Sequence, residues 1–153
     1  MVARDIMTTD VVYVRTTDIA RKGAERLLEG THAALPVLDE NDNVVGILSE
    51  TDILGLAIPE YLSSVADFSF LPNSYAFPPS EGWDIDEVTV GEIMRTAILR
   101  TVSPDEPVIE VARIMVREHV RRCPVVEDGK LVGIISRRDL MEIIVRPAIE
   151  GTS

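Results

Sequence analysis

The chain spells one pattern twice. The stretch DIMTTDVVYV at Asp5–Val14 is answered by EIMRTAILRT at Glu92–Thr101, an offset of 87 residues. LPVLDENDNVVGILSETDIL, which opens at Leu35, is answered by CPVVEDGKLVGIISRRDLM, which opens at Cys123. Pro36 and Pro124 are 88 apart, while Gly46 and Gly133 are again 87 apart. One residue is therefore inserted before the second proline and removed in the turn that follows. A period this long means one supersecondary unit made twice, each copy completing a core that one alone leaves open.

Each copy has the same order of signals. A short strand is expected near Val11–Val14 and Ile98–Val102. A helix follows, capped by Thr17 or Asp18 in the first copy, with Ile19, Ala20, Ala24, Leu27 and Leu28 as its apolar stripe and Gly30 at its end. In the second copy Pro107 sits at the helix start, where its missing N–H costs little. Val108, Val111, Ala112, Met115 and Val116 then make the buried face. Strands are expected at Leu35–Leu38 and Cys123–Glu127, then at Val44–Leu48 and Leu131–Ile135. Tight turns separate them, and Asp128-Gly129 is a strong hairpin signal. A last helix starts after Ser49 and after Ser136. The reading is α/β, with β-α-β-β-α made twice. Such units bury both sheet faces by packing sheet to sheet about a pseudo-twofold axis, which leaves two related clefts between them.

The set DIM/EIM, LPV/CPV and GILSETD/GIISRRD, in this order and twice over, resembles a tandem pair of CBS domains, the Bateman module. The resemblance covers both repeats: 1–57 as the first, 89–149 as the second, with a connector at 58–88. It implies a regulatory module, not an enzyme, that binds an adenosine-containing ligand: AMP, ADP, ATP or S-adenosylmethionine, with Mg²⁺ possible beside ATP. An energy-sensor role, homodimers of disc-like form and an unnamed effector protein are further expectations of that likeness. The alternative is a structural or oligomerisation module without ligand.

The element Ser-x-x-Asp ends each motif, as Ser49-Glu50-Thr51-Asp52 and Ser136-Arg137-Arg138-Asp139. By itself it fits a capping box, with the serine bonding a backbone N–H and the acid in the first helical turn. The same geometry suits a nucleotide. Helix N-termini favour phosphate, a hydroxyl bonds ribose or phosphate, and a carboxylate accepts from a ribose diol. The family resemblance carries these roles to Ser49, Thr51 and Asp52 in one cleft and to Ser136 and Asp139 in the other. Val11 or Ile98, with the backbone before Pro36 or Pro124, is expected to hold adenine. The change from Glu-Thr to Arg-Arg matters, because guanidinium groups take phosphate, often bidentately. Arg137 and Arg138, with Arg121 and Arg122 before Pro124, make the second site cation-rich. The first offers only His32, and Glu50 repels phosphate. The Asp139 cleft is thus expected to prefer a charged nucleotide, and the Asp52 cleft to take a less anionic adenosine compound or nothing.

Charge and composition bound the rest. The net charge is −11, with 5 basic and 16 acidic residues in 1–91 against 10 and 9 in 92–146. That balance argues against nucleic acid and anionic membranes as partners. No apolar run approaches the length of a span, and the first residues lack the apolar core of a signal peptide. The single cysteine, Cys123, makes no internal disulfide, so a reduced, cytoplasmic setting is expected. His119 and Cys123 are too few for a metal site. Ser136, His119 and Asp139 sit in no nucleophile elbow, and no Walker A or G-x-G-x-x-G pattern occurs. The connector holds four prolines and six of the seven aromatics. It is expected to pack over its own module, or to offer a dimer contact or lid.

Overall fold

The computed structural model describes all residues other than 31–33, 59, 68, 79–83, 97–99 and 147–153. Along the chain run α1 (Ala3–Ile6), β1 (Val14–Arg15), α2 (Ala20–Glu29), β2 (Ala34–Leu38), β3 (Val44–Ser49), α3 (Glu50–Leu56), α4 (Glu60–Ser63), α5 (Val90–Ile93), α6 (Val108–Glu118), β4 (Arg122–Glu127), β5 (Lys130–Ser136) and α7 (Arg137–Val145). The β-α-β-β-α order is present in both copies, except that the first strand of the second copy is reduced to a bridge at Val102 among the described residues.

The chain forms two compact units, and their limits are not those of the sequence repeats. One unit holds Met1–Val12, Asn41–Val44 and Ala97–Ser153; the other holds Tyr13–Glu40 and Val45–Thr96. The segment that leads each repeat therefore belongs to the unit built by the other repeat.

In the unit of Tyr13–Glu40 and Val45–Thr96, β2 lies between β1 and β3. β1 runs parallel to β2, with Val14 opposite Val37; α2 supplies the crossover that a parallel pair requires. β2 is buried along Leu35–Leu38, the continuous apolar run of a strand covered on both faces. The core is Val14, Leu27, Leu35, Val37, Leu48 and Val90, with Ile53, Ile93 and Met94 against it. Val90, Ile93 and Met94 all come from the lead segment of the second repeat. Gly23 allows close packing, since a β-carbon there would stand 2.5 Å from Leu48 Cδ2 and displace that side chain. The expected stripe of α2 is corrected at its edges: Ile19 is the N-cap and Leu28 is 85% exposed. The buried face is Ala20, Gly23 and Leu27, spaced three and four apart. Asp18 accepts the N–H of Arg15 at 2.8 Å and so fixes the turn before the helix, without capping it.

In the other unit β4 and β5 form an antiparallel hairpin, with a register shift between Val125 and Val126. Asp128 and Gly129 turn it with φ of 53° and 82°, the pair of left-handed residues that a two-residue hairpin turn needs. Val102 pairs in parallel with Val125, where the first strand of the repeat was expected. Ala3, Val102, Val111, Ile114, Met115, Cys123, Val125, Ile135 and Leu140 make the core, with Ile6 and Met7 packed against it. Here too the expected helix stripe is rotated: Ile114 is buried, whereas Val116 is 74% exposed. Pro107 is the N-cap of α6, and His119 closes it in the left-handed conformation. The stretch Asn41–Val44 is tied on by Lys130, whose ammonium donates to Asn41 O and, at 3.3 Å, to Asn43 Oδ1.

Of the connector, Leu62 is buried, whereas Tyr61, Phe70 and Phe77 are exposed. The hydroxyls of Tyr61 and Tyr75 bond each other at 3.1 Å. Phe68 and Trp83 lie outside the described residues, as do His32 and Ile98.

Candidate functional site

Both Ser-x-x-Asp elements fold as helix starts, and both accept a lead segment from the other repeat. Thr8 and Ile134 exchange two backbone hydrogen bonds of 2.9 and 3.0 Å; Arg95 and Ile47 exchange two of 3.0 Å. Thr8 and Arg95 are equivalent positions, each following the methionine of DIM or EIM. The exchange lays one of them beside each Ser-x-x-Asp element.

At the second element, Ser136 Oγ accepts the N–H of Asp139 at 3.2 Å, and Asp139 Oδ2 accepts the N–H of Ser136 at 2.8 Å. This is the reciprocal capping box. Asp139 Oδ1 receives no hydrogen bond among the described residues, and the residue is half-buried. It borders a hollow of about 300 Å³ lined by Ile6, Asp139, Glu142, Ile143 and Arg146. Ile6 belongs to the lead segment of the first repeat.

The four expected arginines do not act together. Arg137 donates from Nε to Val120 O at 3.1 Å and lines a separate groove between α6 and α7. Arg138 pairs with Glu142 at 3.6 Å and is open to solvent. Arg121 is exposed, and its carbonyl accepts the N–H of Arg137. Arg122 is half-buried. Burial lowers the pKa of its guanidinium, and the charge of Asp139 opposes that shift. Pro124 is buried within β4. Val11 is half-buried, in the same unit.

At the first element the arrangement differs. Asp52 Oδ2 accepts from the N–H of Ser49 at 2.8 Å and from its hydroxyl at 2.9 Å. Asp52 Oδ1 accepts from Arg95 Nε at 3.2 Å. Arg95 also donates to Thr51 Oγ1 at 3.3 Å, and the Ser49 and Thr51 hydroxyls bond each other at 2.8 Å. The Asp52 side chain is only 7% exposed, and that of Arg95 54%. Pro36 is buried in β2. The expectation that this element lacks a guanidinium is thus corrected. Comparing the Ser-x-x-Asp stretches alone missed Arg95, but the alignment of DIMT with EIMR contains it. Ile6 and Arg146 were missed as well, because only the folded chain brings them to Asp139. Among the described residues there is no group of three or more His, Cys, Asp or Glu placed to hold a metal ion.

The model of the CBS domain matches twice, at residues 3–58 and 90–146. The chain belongs to the CBS domain family. A relative across nearly the whole length is the protein MJ1426 of Methanocaldococcus jannaschii, 29% identical over 95% of this chain and 92% of its own. Among solved structures, the CBS domain of a CBS domain containing membrane protein from Sphaerobacter thermophilus is 33% identical, with a TM-score of 0.69 over 93% of this chain and 86% of that one. CBSX2 in complex with AMP is 26% identical, with a TM-score of 0.70 over 95% and 96%. This CBS pair contains no helix among the described residues that is long and apolar enough to cross a membrane.

Proposed function

We propose that this CBS pair is a non-catalytic regulatory module that binds an adenosine-containing ligand at Asp139 and relays its level to a partner protein. The observation that carries the reading is Asp139, a half-buried residue that lines a hollow of about 300 Å³ and whose Oδ1 accepts no hydrogen bond among the described residues. A ribose diol offers the two donors that such an oxygen lacks, and buried polar atoms favour partners. The crystal structure of CBSX2 with AMP supports the ligand class. In this reading Arg146, which lines the hollow, meets the phosphate, and Arg122 adds positive charge near Asp139. Arg137 and Arg138 bond Val120 and Glu142. If the ligand is ATP, Mg²⁺ accompanies it.

Ligand acts on such a module only by binding one arrangement better than another. Thermal unfolding with AMP, ADP, ATP and S-adenosylmethionine tests the reading. A ligand at about 100 times its dissociation constant adds roughly 2.7 kcal/mol, a rise of several degrees for a chain of this size. Asp139→Ala removes the rise. No rise with any of the four at millimolar concentration leaves the ligand-free structural module as the better account.

The homodimer belongs to the same proposal. It is supported by the groove between α6 and α7, where Val116, Met141 and Ile144 are all exposed. Apolar surface gathered in this way favours a protein contact. Sedimentation equilibrium decides it: Val116→Glu with Ile144→Glu is expected to give monomers, and a wild-type chain that is already monomeric refutes it. A cytoplasmic setting is proposed from the single cysteine, which is buried as a free thiol.

A further inference from the structure

We infer that Arg95 closes the first Ser-x-x-Asp element from within, so that the chain takes its adenosine ligand at Asp139 and excludes it at Asp52. The inference rests on the reading of Asp139 just given. Every group that Asp52 and its neighbours would offer a ribose already has a hydrogen-bond partner. Both oxygens of Asp52 accept hydrogen bonds, one from Arg95 and the other from Ser49. The Ser49 and Thr51 hydroxyls are bonded to each other, and Thr51 also accepts from Arg95. At Asp139 the equivalent lead residue is Thr8, which carries no charge, and Oδ1 has no donor among the described residues. The two elements match in the residues that bind a diol. They differ in the two residues between serine and aspartate and in what the exchanged segment lays beside them.

A guanidinium that must leave before a diol enters lowers the apparent affinity by the fraction of time the carboxylate is open. Arg95 could in principle turn outward to meet a phosphate instead. Glu50, next to Thr51 in the sequence, carries the charge that repels a phosphate arriving there. The bonds from Arg95 to both Asp52 and Thr51 hold it inward.

Titration calorimetry of the full chain with AMP tests this directly. The wild type is expected to bind about one AMP per chain, and Asp139→Asn to bind none. Arg95→Thr, which copies Thr8, and Arg95→Gln, which keeps the length without the charge, are each expected to strengthen binding at Asp52 about tenfold and reveal a second AMP. Thr8→Arg moves the device to the other element and is expected to weaken the wild-type site about tenfold. Two equivalents in the wild type overturn the inference while leaving the adenosine reading intact. So does a second site that fails to appear in both Arg95 variants. No heat with the wild type or any variant overturns the adenosine reading and this inference together.

Discussion

Met7 lies across Gly133: its sulfur stands 2.5 Å from the point that a β-carbon on Gly133 would occupy, and its own Cβ 3.0 Å from it. Gly46 stands in the same relation to Met94, whose sulfur is 2.7 Å from the corresponding point. The glycines of GILS and GIIS are thus the floors on which the exchanged lead segments rest. Gly133→Ala overpacks that contact, and we expect a loss of about 1–3 kcal/mol. The urea midpoint measures it. An unchanged midpoint would show that Met7 swings aside without cost.

The hairpin turn carries a separate requirement. Gly129 has φ of 82°, and an added β-carbon would stand 2.8 Å from Asn43 Oδ1. Gly129→Ala is expected to cost about 1–2 kcal/mol from the left-handed backbone alone, and more if Asn43 does not move. It should also loosen the Lys130 tie to Asn41 and Asn43, which hydrogen exchange at the two turns would report.

The serines are expected to differ as caps. Ser136 Oγ accepts a backbone N–H at the start of α7, whereas Ser49 Oγ is bonded to Asp52 and Thr51. Ser136→Ala is therefore expected to cost about 1 kcal/mol, and Ser49→Ala less. Denaturant melts of the two variants check the order. In the presence of AMP, the rise in midpoint should be smaller for Ser136→Ala than for the wild type.

Cys123 is fully buried, and burial pushes its thiol from 9.0 up to about 11. A thiol of this kind is a poor nucleophile. Ellman's reagent at pH 8 is expected to leave the folded chain untouched and to react once urea unfolds it. The sign of the pH effect follows. The folded state keeps the proton that the unfolded chain loses above 9.0, so this contribution to stability is whole below that pH and is lost as pH rises to about 11. Cys123→Ala should flatten that part of the stability profile. Rapid modification of the folded chain at pH 8 would contradict the burial.

The duplication, the hairpin at Asp128-Gly129 and the helix starts at Ser49 and Ser136 could be read from the chain because each depends on neighbours a few residues away. Two kinds of feature could not. Leu28 and Val116 are apolar residues on amphipathic helices, and helical period alone does not say which flank of the stripe meets the core. The second kind is long-range. That DIM would pack on GIIS and EIM on GILS is invisible to local spacing, since both repeats carry both pieces. Arg95 was overlooked for that reason. Arg95 belongs to the second repeat by sequence, but its partner is Asp52 of the first. The arginines at 121, 122, 137 and 138 are brought together by the β4–β5 pairing, where Arg122 lies opposite Ser136, but Arg137 and Arg138 turn to Val120 and Glu142, partners that spacing does not reveal.

The crossed lead segments bear on how a chain of this kind arose and how it can be taken apart. A chain with one repeat has no way to set its own DIM-type segment on its neighbour's glycine floor; it needs a second molecule for that. Joining two copies end to end puts both halves of the exchange on one polypeptide, at any dilution. Cutting within 58–88 would therefore yield halves that are each missing a piece of core, and mixing them should restore what neither recovers alone.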